Sequence, residues 1–142
     1  MVVFAKAPNV DNVGFLKGFF SSLPDLSSNS LILGGDFDCW LDPVLDQSSS
    51  NPGIMSNSVS LIQSFLDNYG VTEIWRYLHP NKREYLFFSH SHHTYPRIDY
   101  FLVDNQLIPF TRSCDYQSIV TSDHAPVVLS MMLPDLPVAE RH

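Results

Sequence analysis

Two stretches of the chain carry apolar residues at helical spacing. The first follows the Asp11-Asn12 pair, which predicts the start of a helix, and it ends at Pro24, which cannot continue one. The second runs from Ser58 to Tyr69, where apolar residues recur at every third or fourth position, and Gly70 supplies a C-terminal stop. The pattern therefore predicts two helices that each bury one face.

Around these helices, short runs of β-branched and aromatic residues predict strands. The runs are Val2 to Ala7, Leu31 to Leu33, Val71 to Trp75, Tyr85 to Phe88, Arg97 to Val103, Tyr116 to Val120 and Val127 to Met132. Strand, helix, strand, helix and then several strands indicate an α/β (α+β) fold. We expect a polar loop from Cys39 to Ser58, one domain over residues 1–133, and a disordered tail over residues 134–142.

The composition narrows the class of protein. The 142 residues are 44% hydrophobic and 13% aromatic, which excludes a disordered chain. Eight basic residues oppose fifteen acidic ones, and this net charge of −7 argues against tight, sequence-independent binding of nucleic acid. Cys39 and Cys114 form no disulfide framework, and the sequence shows no signal peptide or membrane span. We therefore expect an intracellular protein, nuclear or cytoplasmic, with no membrane partner.

The first candidate site follows the second predicted strand, in the sequence Gly34-Gly35-Asp36-Phe37-Asp38. Because side chains alternate along a strand, Asp36 and Asp38 project to the same side. Two carboxylates about 4 Å apart repel by roughly 4 kcal/mol at an effective dielectric constant of about 20, and a divalent cation would relieve this repulsion. A solvated turn that caps the following loop is the alternative.

Two further segments place ionisable residues beside apolar strands. Asp123 and His124 come shortly before Val127, where they could supply a metal ligand and a general acid or base. Asp99 is an acid within an apolar run and could hold the ring of His124 in one tautomer. The alternatives are a plain polar loop for the first segment and, for Asp99, a structural pair with Arg97 or a backbone donor.

Two other groupings are weaker candidates. The histidines between His90 and His93 suggest zinc, yet they come with no cysteine and no clear acidic fourth ligand, as in a solvated loop. A small hydrolase that uses Ser122, His124 and Asp99 is a further hypothesis. It is disfavoured because Ser122 and His124 are only two positions apart and no nucleophile elbow surrounds the serine.

In this order, the segments GGDFD, RIDYFLV and SDHAPV resemble the second half of the endonuclease/exonuclease/phosphatase superfamily. The stretches LHPNKREYLFFSHSHHTYPRIDYFLV and SIVTSDHAPVVLSM are similar, more narrowly, to the endonuclease domain of LINE-type (non-LTR) retrotransposons. The resemblance covers about Val2 to Leu133. It implies the C-terminal half of a four-layered α/β sandwich, with a mixed, largely antiparallel sheet and flanking helices. It also implies Mg²⁺ or Mn²⁺ as cofactor and hydrolysis of DNA by an activated water.

The resemblance gives a role to each residue that matches the family's motifs. Asp36 would orient or activate the water, and Asp123 would lie beside the metal. His124, steered by Asp99, would act at the scissile phosphate. Asn9 is similar to an asparagine that helps hold the nucleic-acid strand in related enzymes.

Three positions depart from the pattern of the superfamily. Leu86 stands where relatives often carry a small hydroxylated residue that contacts the substrate. Asp38 stands where asparagine is usual, so an anion replaces a donor to the phosphate. Lys6 stands where tyrosine is frequent, and its ammonium would partly replace the hydroxyl at the substrate. The resemblance also leaves out the first half of the domain, which carries a metal-binding glutamate in relatives, and Glu73 and Glu84 lie in the wrong context to replace it.

These departures lead to two hypotheses. The first is a retrotransposon-derived endonuclease fragment that binds DNA weakly and is weak or inactive as a nuclease. The second is a noncatalytic remnant or interaction module that pairs through an exposed sheet. For either one, the missing first half predicts an uncovered apolar sheet face, and hence self-association or a partner chain that supplies the other half.

Overall fold

The computed structural model describes residues 2–7, 12–23, 30–37, 39, 41–42, 57–82, 97, 99–117 and 126–132. In chain order they form β1 (Val2–Lys6), α1 (Asn12–Ser22), β2 (Ile32–Asp36), α2 (Asn57–Tyr69), β3 (Val71–Glu73), α3 (Ile74–Leu78), β4 (Asp99–Asp104), a 3₁₀ helix (Asn105–Phe110), β5 (Thr111–Tyr116) and β6 (Val127–Met131). The strand predicted at Tyr85 to Phe88 and the predicted tail lie outside these residues. Among the helices described, none is long and apolar enough to cross a membrane.

Four of the strands form one mixed sheet in the order β1-β2-β4-β3. β1 runs parallel to β2, whereas β2 and β3 each pair with β4 in antiparallel orientation. β5 and β6 form a separate antiparallel pair. The sheet is therefore mixed and largely antiparallel with flanking helices, and the predicted α/β fold class is confirmed.

The helices α1 and α2 cover one face of the four-stranded sheet. Their apolar side chains pack on Leu33 of β2 and on Tyr100 and Leu102 of β4, all of which are buried. The rings of Phe20 and Phe65 stack with their centroids 4.1 Å apart and join the two helices. Each large side chain buried in this way stabilises the fold by about 1.5–3 kcal/mol.

The opposite face of the sheet, here called the second face, is covered in part by α3 and the β5–β6 pair. Val103 of β4 is fully buried there against Trp75 of α3 and Cys114 of β5, and Ile32 and Phe101 pack beside them. Because β2 and β4 contact an apolar layer on both faces, their sequences are apolar without a polar alternation. This explains the continuous Leu31-Ile32-Leu33 run.

Three of the predicted strand boundaries are wrong. β2 extends beyond Leu33 to Asp36. β3 ends at Glu73 instead of Trp75, because the Glu73 carboxylate accepts the N–H of Arg76 at 2.7 Å and caps a short helix. β5 occupies Thr111–Tyr116, upstream of the predicted Tyr116 to Val120. Its half-buried positions include Thr111 and Ser113, so the strand has only a weak apolar signal in the sequence.

Candidate active site at one end of the four-stranded sheet

Three of the predicted site residues lie on one rung of the four-stranded sheet. Lys6 of β1 pairs in register with Asp36 of β2, and Asp36 pairs in register with Asp99 of β4. Neighbouring strands are about 4.8 Å apart, and residues directly opposite each other project from the same face. An ammonium and two carboxylates therefore lie side by side, in what we call the Lys6–Asp36–Asp99 row.

The row lies on the second face, at the last rung of the sheet. β1 and β2 both end there, and β4 begins there. One backbone bond continues the ladder beyond it, since the Ala7 N–H donates to the Asp36 carbonyl at 2.7 Å. Lys6 is exposed and both aspartates are half-buried, so the row is open to solvent and to a ligand.

Aromatic and hydrogen-bond contacts fix the residues that follow Asp36 in the sequence. The ring of Phe37 stacks on that of Tyr100 with centroids 4.6 Å apart. The Tyr100 hydroxyl donates to the Cys39 carbonyl at 3.2 Å, and burial raises the pKa of this hydroxyl well above its ordinary value. The residues on both sides of Asp38 are thus tied to β4, while Asp38 itself lies outside the described residues.

A buried ion pair supports the row from the β3 side. The Arg97 guanidinium contacts the Glu73 carboxylate, and both side chains are almost fully buried. Arg97 also lies 4.5 Å above the ring of Trp75 and donates to the Tyr116 hydroxyl at 2.9 Å. The Tyr116 hydroxyl in turn donates to the Asp99 carbonyl. Arg97 therefore pairs with Glu73, and the two connect to the row through Tyr116.

The sequence did not predict the Arg97–Glu73 pair or its connection to Asp99 through Tyr116. Glu73 and Arg97 are far apart along the chain, and neither the composition nor the spacing of their segments relates them. The available signal was weak: each is a charged residue next to apolar residues that have to be buried. A buried charge requires a partner, so two such residues of opposite sign are candidates for each other.

The remaining predicted site residues lie outside the described part of the chain. They are Asn9, Asp38, Asp123 and His124, and the same holds for Ser122 and for the histidines between His90 and His93. Within the described ranges, no group of three or more His, Cys, Asp and Glu residues could hold a metal ion. Asp36 and Asp99 nevertheless fit Mg²⁺, which proteins bind through one or two carboxylates while it keeps several waters.

Solved structures with the same arrangement of strands and helices are nucleic-acid enzymes. An AP endonuclease from Archaeoglobus fulgidus matches 85% of this chain with a TM-score of 0.69 and 19% identity. The 3′ phosphatase NExo from Neisseria, bound to a product DNA hairpin, matches 86% with a TM-score of 0.67 and 20% identity. The AP endonuclease LMAP from Leishmania major matches 89% with a TM-score of 0.66 and 17% identity. The chain therefore has a nuclease-type fold, and the predicted endonuclease/exonuclease/phosphatase fold is confirmed.

The sequence is also similar to that of a transposon protein. It is 24% identical over 143 residues to the "Transposon TX1 uncharacterized 149 kDa protein" of Xenopus laevis, which agrees with the predicted retrotransposon resemblance. The match covers 98% of this chain and 11% of that protein, and the chain spans 44% to 53% of the three solved structures above. No family model matches the chain.

Proposed function

We propose that the chain is part of a retrotransposon-derived, metal-dependent endonuclease that hydrolyses phosphodiester bonds in DNA. The observation that carries this proposal is the Lys6–Asp36–Asp99 row, at the open end of a sheet whose fold is shared with AP endonucleases. The row joins an ammonium, which suits a phosphate, to two carboxylates, which suit a divalent cation and a water.

The residues of the row would divide the work of hydrolysis. Asp36 orients the attacking water and accepts its proton, while the Lys6 ammonium faces the anionic phosphate. Asp99 would hold the ring of His124, and His124 would donate a proton to the oxygen that leaves the phosphorus as the phosphodiester bond breaks. A Mg²⁺ or Mn²⁺ ion, when bound, would neutralise charge that develops on the phosphate.

Further residues complete the proposed site from segments outside the described ranges. Asp123 would hold the metal ion, Asn9 the DNA strand, and Asp38 would stand next to the phosphate. The position of β6 supports this: its first residue, Val127, pairs with Tyr116, whose hydroxyl contacts Asp99.

The activity of this chain alone is expected to be low. The net charge of −7 repels DNA, and Asp38 adds a negative charge where a donor would help. The chain also spans about half of the nucleases that share its fold, so the remaining metal ligand is expected from a further segment or chain.

A plasmid-nicking assay tests the proposal. Purified protein is incubated with supercoiled plasmid and Mg²⁺ or Mn²⁺, beside the variants His124→Ala and Asp36→Asn. Asp67→Asn is the matched control, because Asp67 is an exposed acid on α2. We expect weak nicking that is lost in the first two variants and retained in the control. Nicking that survives His124→Ala would rule out the proposed site.

The second candidate function is a noncatalytic interaction module. The observation in its favour is that Val2 and Phe4 of β1, the first strand of the sheet, are 58% and 72% exposed. An apolar edge of this kind is a surface on which another chain can pair. A calorimetric titration with Mn²⁺ separates the two functions, because the interaction module predicts no heat of binding whereas the nuclease requires it.

A further inference from the structure

The Tyr116 hydroxyl lies between the buried ion pair and the first residue of β4. It accepts a hydrogen bond from Arg97 Nη1 at 2.9 Å and donates one to the carbonyl oxygen of Asp99. Arg97 is itself fixed by the Glu73 carboxylate and by the ring of Trp75 below it. A continuous set of contacts therefore leads from α3 to the backbone of the candidate active site.

The position of Tyr116 is determined independently of these hydrogen bonds. It is the last residue of β5, where it pairs in register with Val127 of β6, and its ring meets that of Trp75 edge-on at 5.5 Å. Burial raises the pKa of its hydroxyl above the ordinary value of 10.0. A tyrosine hydroxyl with an ordinary pKa is already protonated at neutral pH, so this hydroxyl is available as a donor to Asp99.

The bond to Asp99 matters because of where this residue lies. Asp99 is the first residue of β4, and its carbonyl belongs to the peptide plane that joins Asp99 to Tyr100 at the end of the β2–β4 ladder. A hydrogen bond to the Asp99 carbonyl restrains that plane and, through it, the direction in which the carboxylate leaves the backbone. The Asp99 carboxylate lies on the same face of the sheet as the Asp36 carboxylate, and it is the part of Asp99 that belongs to the row.

We propose that Tyr116 is a positioning residue that holds the Asp99 carboxylate in the Lys6–Asp36–Asp99 row, with the Arg97–Glu73 pair as its anchor. The importance of Asp99 for hydrolysis rests on the proposed function, but its placement by Tyr116 does not. Tyr116 touches neither substrate nor metal in this role. It acts through the backbone of another residue.

The test compares Tyr116→Phe with Tyr77→Phe. Both variants lose one phenolic hydroxyl, but Tyr77 is 56% exposed on α3 and serves as the matched control. The readout is the ¹³C NMR signal of the Asp99 carboxylate over a pH titration, together with nicking kinetics. We expect Tyr116→Phe to shift and broaden that signal and to lower kcat about ten- to a hundredfold, with KM within about twofold. Tyr77→Phe should change neither.

The two readouts separate this inference from the proposed function. If the wild-type chain does not nick DNA, the nuclease proposal fails, and the Asp99 signal still decides whether Tyr116 positions it. An Asp99 signal that is the same in Tyr116→Phe and Tyr77→Phe overturns the inference whatever the kinetics show. If Tyr116→Phe does not fold, the wild-type protein decides. Its Tyr116 hydroxyl proton should exchange slowly and show a nuclear Overhauser contact with the Asp99–Tyr100 backbone, and absence of that contact overturns the inference.

Discussion

At the scale of single residues, the register between β2 and β4 places Asp36 and Asp99 on one rung of the sheet. Asp36 and Asp99 could be singled out because each is an acid attached to an apolar strand, which is costly without a function or a partner. Their common rung could not be predicted, since the register between two strands far apart along the chain is encoded in neither strand alone. The Arg97–Glu73 pair could not be predicted either, because it forms only when β3 and β4 lie side by side.

Lys6 offers a residue-scale prediction about DNA. Replacing Lys6 with Gln removes the ammonium of the row, so binding of a short duplex should weaken. The slope of log Kd against log salt concentration should fall by about 1 in magnitude, as for one lost phosphate contact. Fluorescence anisotropy over a salt series measures this slope. Lys17→Gln, on exposed α1, is the control, and equal slopes for the two variants would contradict a phosphate contact by Lys6.

Asp99 offers a second prediction, about metal and stability. Like charges directly opposite each other on neighbouring strands are destabilising, so Asp99→Asn should raise the free energy of unfolding by about 0.2–1 kcal/mol in metal-free buffer. With Mn²⁺ at about 100 times its Kd, the wild type and the variant should each gain about 2.7 kcal/mol, because Asp123 would hold the ion and Asp99 would hold His124. Urea denaturation with and without Mn²⁺ measures both values. The idea fails if Asp99→Asn is no more stable than the wild type without metal, if the variant gains much less from Mn²⁺ than the wild type, or if exposed Asp67→Asn is stabilised by the same amount in metal-free buffer.

At the scale of elements, local signals predicted helix ends well and strand ends poorly. Gly70 was expected to stop α2, and its φ of 63° is the left-handed conformation that suits such a stop. The end of β3 depended instead on the Glu73 cap and on burial of Trp75, which are set by tertiary packing. β2 continues beyond Leu33 to Asp36, because the ring of Phe101 covers Gly34 and takes the place of a side chain there.

The glycine pair of β2 leads to a prediction for this element. Gly35 has φ of 152°, and a Cβ there would overlap the backbone of Ala5, so Gly35→Ala should separate β1 from β2 and cost at least about 3 kcal/mol. Gly34→Ala should cost less, since its Cβ would meet a ring atom of Phe101 at 2.5 Å and the ring can move. Gly18→Ala is the control on α1, where an added Cβ would meet nothing within 4 Å beyond its chain neighbours and the backbone of its own helix, and it should stabilise by about 1 kcal/mol. Urea unfolding measures all three, and equal costs at Gly34 and Gly35 would contradict this account of the strand.

At the scale of the whole molecule, a buried thiol and two buried phenol groups predict that the free energy of unfolding falls at alkaline pH. Burial raises the pKa of the Cys114 thiol from 9.0 to about 12, and it also raises the pKa of Tyr100 and Tyr116 above 10.0. The unfolded chain releases these protons first, so the stabilisation is fully present below about pH 9 and is lost as pH rises towards 12. Each group contributes a slope of about 1.4 kcal/mol per pH unit while only the unfolded form is ionised.

Unfolding in urea at a series of pH values measures this loss. The free energy of unfolding should be level around neutrality and fall from about pH 9 upward, first through Cys114 and then more steeply as the tyrosines join. Cys114→Ala should delay the onset to about pH 10, although the variant is less stable at every pH. A free energy of unfolding that does not change between pH 8 and pH 11 would contradict the burial of these groups.

The exposed apolar residues on the second face predict that the chain associates with itself or with a partner. Phe4 is 72% exposed and lies in register with Gly34, two residues along β1 from Lys6 and on the same face of the sheet. An apolar side chain beside an open strand edge favours association, so wild-type protein should elute from size-exclusion columns at a mass that increases with concentration. Phe4→Gln should reduce that increase, because it removes apolar area while leaving the backbone of β1 unchanged. Tyr77→Gln is the control, since Tyr77 is 56% exposed on α3 and away from the edge. A wild-type chain that elutes as a monomer at every concentration would show that this face needs no partner. The segment or chain expected to supply the remaining metal ligand would then have no apolar surface on which to dock.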